Sequence, residues 1–174
     1  ELDTLGLGDR TVTAVLGDHG ESLGEHDESG HAFFVYSVTM HVPFILHAPY
    51  PGLSGIRVRH VVRTIDAAPT LLDLLGIALP ERMDGASLVP LATGHPGSQS
   101  ASNSTAAPGP AYSESFYARY HFGWSDLRTL RTDQWRFIEA PLPELYDLAA
   151  DPEERENLAS ARPLDVERMR DLLS

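Results

Sequence analysis

The sequence predicts an α/β fold: an α/β part, followed by a small antiparallel sheet with a C-terminal helix. Three observations carry this expectation. Thr11 to Leu16 is β-branched and almost continuously apolar, and Gly17 stops it; that is the pattern of a strand buried on both faces, as in a parallel sheet. Asp66 to Gly76 holds Leu71, Leu72, Leu74 and Leu75 at helical spacing, which gives one apolar face. Beyond residue 111, short runs rich in aromatic and branched side chains follow one another closely, as in an antiparallel sheet.

In chain order, residues 1–10 read as the end of a helix and its exit, with Gly6 and Gly8 as stops. The strand at 11–17 leads into a glycine-punctuated loop, 18–32. Phe33 to Val38 reads as a short helical turn supporting that loop. His41 to Ala48 reads as a second buried strand, with Pro43 near its start, where one missing donor costs little. In the helix at 66–76, Asp66 is expected as N-cap, Pro69 sits in the first turn and Gly76 ends the helix. Pro80 to Pro90 reads as irregular, with a turn at Asp84-Gly85. Residues 93–111 contain no large apolar side chain and read as a linker or surface loop. The sequon Asn103-Ser104-Thr105 within it matches by composition alone. Strands are then expected at 111–120, 126–131, 135–140 and 144–148, with a hairpin turn at Thr132-Asp133-Gln134. An amphipathic helix over 164–173 closes the chain. The expected division is 1–92, the α/β part; 93–111, the linker; and 112–174, the small sheet subdomain.

The 174 residues are 42% hydrophobic, enough for a real core, and carry a formal net charge of −12. An acidic chain lacks the basic footprint of a nucleic-acid binder. An anionic small substrate stays possible, because local fields can oppose the net charge. The absence of Cys removes disulfides, thiolate metal sites and cysteine nucleophiles from these residues. No apolar run approaches the roughly 20 residues of a membrane span. The compartment and the oligomeric state stay unassigned.

The chemistry concentrates between Gly17 and His31. Gly17-Asp18-His19-Gly20-Glu21, Leu23-Gly24-Glu25-His26 and His31 stand just past the carboxyl end of the first strand, where open α/β sheets place their ligands. This segment resembles the metal-and-substrate segment of the sulfatases, in the alkaline phosphatase superfamily. His41-Val42-Pro43-Phe44-Ile45-Leu46, Asp66-Ala67-Ala68-Pro69-Thr70-Leu71-Leu72-Asp73-Leu74, Asp84-Gly85, Glu144-Leu145-Tyr146-Asp147-Leu148 and Asp151-Pro152 continue the resemblance in the family's order. It implies the C-terminal part of an alkaline phosphatase-like α/β domain, followed by a smaller antiparallel sheet and a final helix.

The resemblance implies that Asp18 and His19 ligate one divalent metal ion, Ca²⁺ first and Mn²⁺ second. A hard cation prefers oxygen donors, and the imidazole leans toward Mn²⁺ or Zn²⁺. It also implies that His31 lies near the transferred group, binding sulfate oxygens or protonating the leaving oxygen. An imidazole suits this work because its ordinary pKa is near working pH. His26 is expected beside the substrate, orienting His31 or the metal shell, or else as a structural residue. Glu21 is expected to brace the loop, and Glu25, Asp27 and Glu28 to form a solvated acidic run. Arg128, Arg131 and Arg136 are expected in surface salt bridges; contact with an anionic substrate group is the alternative. Tyr146, Asp147, Asp151 and Asn157 are expected in packing and turns.

The expected function is therefore hydrolysis of a sulfuric ester, from a small molecule or a glycan. The family's nucleophile is a formylglycine made in a Cys/Ser-x-Pro/Ala-x-Arg segment, which is expected upstream because these residues lack it. No further cofactor-binding residue is assigned. The chain alone is accordingly expected to be inactive. Alternatives are a phosphodiesterase or phosphonate monoester hydrolase of the same superfamily, toward which His19 leans, and a non-catalytic sulfatase-like binding domain.

Overall fold

Apolar side chains that recur along short extended runs need a partner strand, and among the described residues every such pairing is antiparallel. The computed structural model describes residues 1–94 and 109–174. In chain order its elements are β1 (Thr13–Leu16), β2 (Ser22–Leu23), β3 (Ser29–Gly30), α1 (Ser37–Met40), β4 (Phe44–His47), α2 (Ala67–Leu74), α3 (Val89–Thr93), β5 (Ala111–Ser115), α4 (Tyr117–Phe122), β6 (Leu127–Arg131), β7 (Trp135–Glu139), β8 (Glu144–Asp147) and α5 (Pro163–Leu173). They fall into two compact units, Glu1–Leu16 with Pro43–Pro108, and Gly17–Val42 with Gly109–Ser174.

In the first unit β1 and β4 form a two-stranded antiparallel ladder, Thr13 opposite His47 and Leu16 opposite Phe44. The expectation of a strand buried on both faces is not met. Val15 and Ile45, directly opposed, are 56% and 63% exposed. A continuous apolar run specifies extended backbone, but not how many layers cover it. Residues 1–10 form turns and a short 3-10 helix at Gly8–Arg10 rather than the end of an α-helix.

The α2 helix lies where its pattern places it and ends at Gly76, whose φ of +67° favours glycine. Its buried face differs from the leucine stripe. Pro69, Thr70, Asp73 and Leu74 are buried, while Leu75 is 55% exposed. The reason is a polar seam with residues 85–88. The Thr70 hydroxyl donates to the Asp66 carbonyl (2.6 Å) and accepts the Leu88 N–H (2.9 Å), and the Ser87 hydroxyl donates to Asp73 (2.5 Å). Asp66 is fully buried, and its side chain does not cap α2. It closes the preceding turn instead, accepting the N–H and guanidinium of Arg63 at 2.8 Å each, and it also accepts the Ala86 N–H. Gly85 is required here, since a Cβ would sit 2.0 Å from the Ile65 carbonyl oxygen.

The second unit is built on a four-stranded antiparallel sheet in the order β5-β6-β7-β8. The hairpin between β6 and β7 turns at 132–134 as expected, with the Thr132 hydroxyl accepting the Trp135 N–H (2.8 Å). The run expected as one strand over 111–120 divides. Its second half is the helix α4, closed by Gly123 in the left-handed region; aromatic residues here mimic strand propensity without strand pairing. Strand β7 is buried over Trp135–Ile138, so the sheet is covered on both faces. Leu130, Trp135, Phe137 and Leu145 pack with Val166 and Met169 of α5. On the other face Ile138 and Tyr146 pack with Val35, flanked by Tyr36 and Met40. Segment 33–40 is thus the cover of the second sheet face. The linker expected at 93–111 lies mostly outside the described residues, and the sequon lies wholly outside them.

Candidate functional site

Loop 18–32 is held from beneath by residues of its own unit. The Gly20 N–H donates to the Thr39 carbonyl (2.8 Å), and a Cβ on Gly20 would sit 2.1 Å from the Val38 oxygen. Only glycine lets the loop lie this close to α1. The short ladder β2–β3 pairs Ser22 with Gly30 and Leu23 with Ser29. Buried Ser22 donates to the carbonyls of Glu25 and Glu28, both at 2.9 Å. Glu25 is exposed, as expected of a solvated acid, but Glu28 is not. Glu25 accepts the Leu23 N–H (2.7 Å), and Glu28 is 7% exposed and accepts the N–H groups of Phe33 (3.0 Å) and Phe34 (3.3 Å). Backbone donors need acceptors once water is excluded, and Glu28 supplies one. No local signal distinguishes it from Asp27, which stays exposed.

This scaffold gathers His19, Glu21 and His31. The two imidazoles stack with centroids 3.9 Å apart, and His31 Nδ1 lies 2.9 Å from Glu21 Oε2. One ligand atom from each of the three lies within 4.8 Å of the others. His19 Nδ1 faces the Gly20 carbonyl oxygen (2.8 Å). Asp18 is exposed, and its Oδ1 accepts the His19 N–H (3.0 Å); that bond holds its carboxyl below the usual carboxylate range. Asp18 Oδ2 is 3.9 Å from His19 Nε2. Oxygen and nitrogen donors of this kind suit a divalent cation.

His26 does not join this group. It has φ of +54° and stacks on Tyr36, with ring centroids 3.6 Å apart and planes 9° apart. The Tyr36 hydroxyl donates to Glu144 (2.9 Å), and so does that of Tyr146 (2.5 Å). Burial, and then the Glu144 charge, push both phenols upward. His26 lines a separate cavity with His41, Ser37, Tyr146 and Glu154.

The arginines expected on the surface divide. Arg128 pairs with Asp126 at 3.1 Å and is half exposed, and Arg131 donates to the Ser37 hydroxyl (3.3 Å). Arg136 is 2% exposed. It donates to the Val35 carbonyl (2.8 Å), and its Nε is 2.6 Å from Glu154 Oε1. The two charges thus form a buried ion pair. Burial draws the Arg136 guanidinium down to about 10, so it stays charged at neutral pH. Glu154 in turn accepts the Ser37 N–H (2.7 Å) and hydroxyl (2.8 Å). The alternation of β7 sends residues 136 and 138 to the same face. An arginine there is seated under segment 35–37, next to the loop that carries His31.

The family described as "N-sulphoglucosamine sulphohydrolase, C-terminal" matches residues 24–171. The chain is similar to arylsulfatase K of Homo sapiens, 32% identical over 93% of this chain and 30% of that protein. It is also similar to the Delta 4,5-hexuronate-2-O-sulfatase of Bacteroides thetaiotaomicron, 30% identical over 87% of this chain and 31% of that protein. Among solved structures it resembles the phosphonate monoester hydrolase of Agrobacterium radiobacter, with TM-score 0.80 and 28% identity over 99% of this chain and 36% of the other. The chain therefore spans about 30% of the length of the curated relatives it matches.

Proposed function

Because this chain belongs to the sulfatase family, through its C-terminal portion, we propose that the full-length protein hydrolyses sulfate esters carried on a sugar. Asp18, His19 and His31 form this chain's share of the site. The observation that carries the reading is the gathering of His19, Glu21 and His31 on one loop, in a chain whose relatives include a hexuronate-2-O-sulfatase.

Asp18 and His19 would hold one divalent ion. Ca²⁺ is the first candidate, and the imidazole donor speaks for Mn²⁺ as the second. Such an ion, when bound, offsets negative charge on the ester's oxygens. His31 is the residue whose chemistry can be followed on this chain. Its Nδ1 is occupied by Glu21, so Nε2 is the ring nitrogen left for the ester. As an imidazolium, His31 gives its Nε2 proton to the departing alcohol oxygen and keeps Nδ1–H on Glu21. The formylglycine nucleophile belongs to the part of the protein outside these residues.

The test is the rate of the full-length protein on a sulfated hexuronate–hexosamine disaccharide against its rate on an aryl phosphodiester. Sulfate hydrolysis should dominate, and His31→Ala should lower kcat by roughly 10² to 10⁴, the range for a general acid. Faster turnover of the phosphodiester would instead favour the second reading, a phosphonate or phosphodiester hydrolase, for which the fold likeness at TM-score 0.80 speaks.

A further inference from the structure

Two residues beyond His31, Phe33 is the hub of an aromatic cluster that the site chemistry does not use. Its ring lies 5.7 Å from Tyr117, 6.0 Å from Phe122 and 5.9 Å from Trp124, centroid to centroid. Phe122 and Trp124 are 5.2 Å apart. Tyr117, Phe122 and Trp124 are 41%, 54% and 61% exposed. A contiguous exposed aromatic patch costs solvation free energy and marks a binding surface.

The platform is also fixed in place. The Phe33 N–H is held by buried Glu28. The Ser115 hydroxyl, just before α4, donates to the Ala32 carbonyl (2.7 Å), which ties the end of β5 to the residue between His31 and Phe33. Two residues of chain reach at most about 7 Å, roughly the width of one sugar ring. The cluster therefore sits on the same short segment as the residue assigned to the leaving oxygen, within reach of an alcohol half one sugar ring wide.

We infer that Phe33, Tyr117, Phe122 and Trp124 form the subsite for the sugar half of the substrate, holding one face of a pyranose ring. This rests on the sulfatase reading and names the group that the ester leaves behind. The ring planes meet at 55°, 43° and 76° to Phe33, and those of Phe122 and Trp124 at 35°, so none of these contacts is a parallel stack. A faceted surface open on one side suits the polarised C–H bonds of a pyranose, which are drawn to the negative faces of aromatic rings. Binding energy collected here, away from sulfur, is available to orient the ester.

The test is calorimetric titration of the full-length protein with two probes, a desulfated hexuronate–hexosamine disaccharide and inorganic sulfate. Trp124→Ala should weaken the disaccharide about tenfold or more, with sulfate affinity within twofold; Trp124→Phe should restore most of the loss. Tyr117→Ala is the second variant, should Trp124→Ala fold poorly. A disaccharide affinity within twofold of wild type in both alanine variants would overturn the proposal, as would a wild type that does not take the disaccharide. So would an acrylamide-quenching difference of nil between wild type and Trp124→Phe, since that would mean another protein segment covers the ring. If the disaccharide binds through Trp124 but no sulfate ester is hydrolysed, the sulfatase reading falls and the sugar subsite stands.

Discussion

At the residue scale, the pair of greatest consequence is His31 and Glu21. Their side chains are 44% and 52% exposed, so the contact adds little to stability; exposed pairs are worth about 0–1 kcal/mol. Its value is orientation, because it presents Nε2 and keeps Nδ1 engaged. Glu21→Ala should therefore leave the melting temperature almost unmoved and lower kcat by about 10- to 100-fold, the usual loss when the group that orients a ligand histidine is removed. Glu21→Gln should recover part of it, since the amide oxygen accepts the same Nδ1–H. An unchanged kcat in Glu21→Ala would show that His31 needs no such partner. Glu21 stands out in the sequence only as a third charged residue after Asp18 and His19. Its ten-residue separation from His31 follows no periodicity, so the pairing is invisible until the loop is folded.

At the scale of elements, strand β7 does two jobs with two faces. Trp135 and Phe137 anchor α5, while Arg136 and Ile138 hold segment 35–37. Taking both Arg136 and Glu154 out of water is expensive, and the pair is tolerated because the hydrogen bonds to Val35 and Ser37 satisfy most of their polar atoms. Removing one charge strands the other. Glu154→Gln should cost about 3–5 kcal/mol in urea unfolding, and should lower activity as well, because one of the two oxygens that accept from Ser37 beneath the loop becomes an NH2 group. A loss under about 1 kcal/mol would mean that water reaches Arg136. Strand periodicity places Arg136 opposite to Phe137, but only the sheet's two-sided cover tells which face is buried.

At the scale of the molecule, the charge balance is carried unevenly. The chain is strongly acidic, yet Arg131 and Arg136 stand near His41. Partial burial, then these two charges, hold the His41 imidazole below its ordinary value. The folded state therefore binds a proton on His41 less readily than the unfolded chain. Stability is whole above the ordinary histidine pKa of about 6.5 and declines as pH falls below it. The melting temperature should drop between pH 7 and pH 5, and His41→Gln should flatten that decline. An equal slope in the variant would assign the acid sensitivity to other groups. Elsewhere the exposed apolar pair Val15 and Ile45 on the β1–β4 ladder contrasts with the covered sheet of the second unit.

Local chemistry by itself determined a good deal of this protein. Gly17-Asp18-His19-Gly20-Glu21 through His31 marked the family, the leucine-rich run from Leu71 located α2, and Thr132-Asp133-Gln134 located a hairpin. These depend on neighbours in the chain, which a sequence displays directly. Tertiary structure decided what depends on residues far apart. It buried Glu28 and Arg136, which their residue types place at the surface, because backbone donors and a paired carboxylate compensate them. It turned part of an apparent strand into α4, where packing on Phe33 outweighs strand propensity. It also laid loop 18–32 and segment 33–40 against a sheet about a hundred residues further along the chain. Burial and charge pairing are sums over spatial neighbours, and spatial neighbours are what folding, rather than order in the chain, supplies.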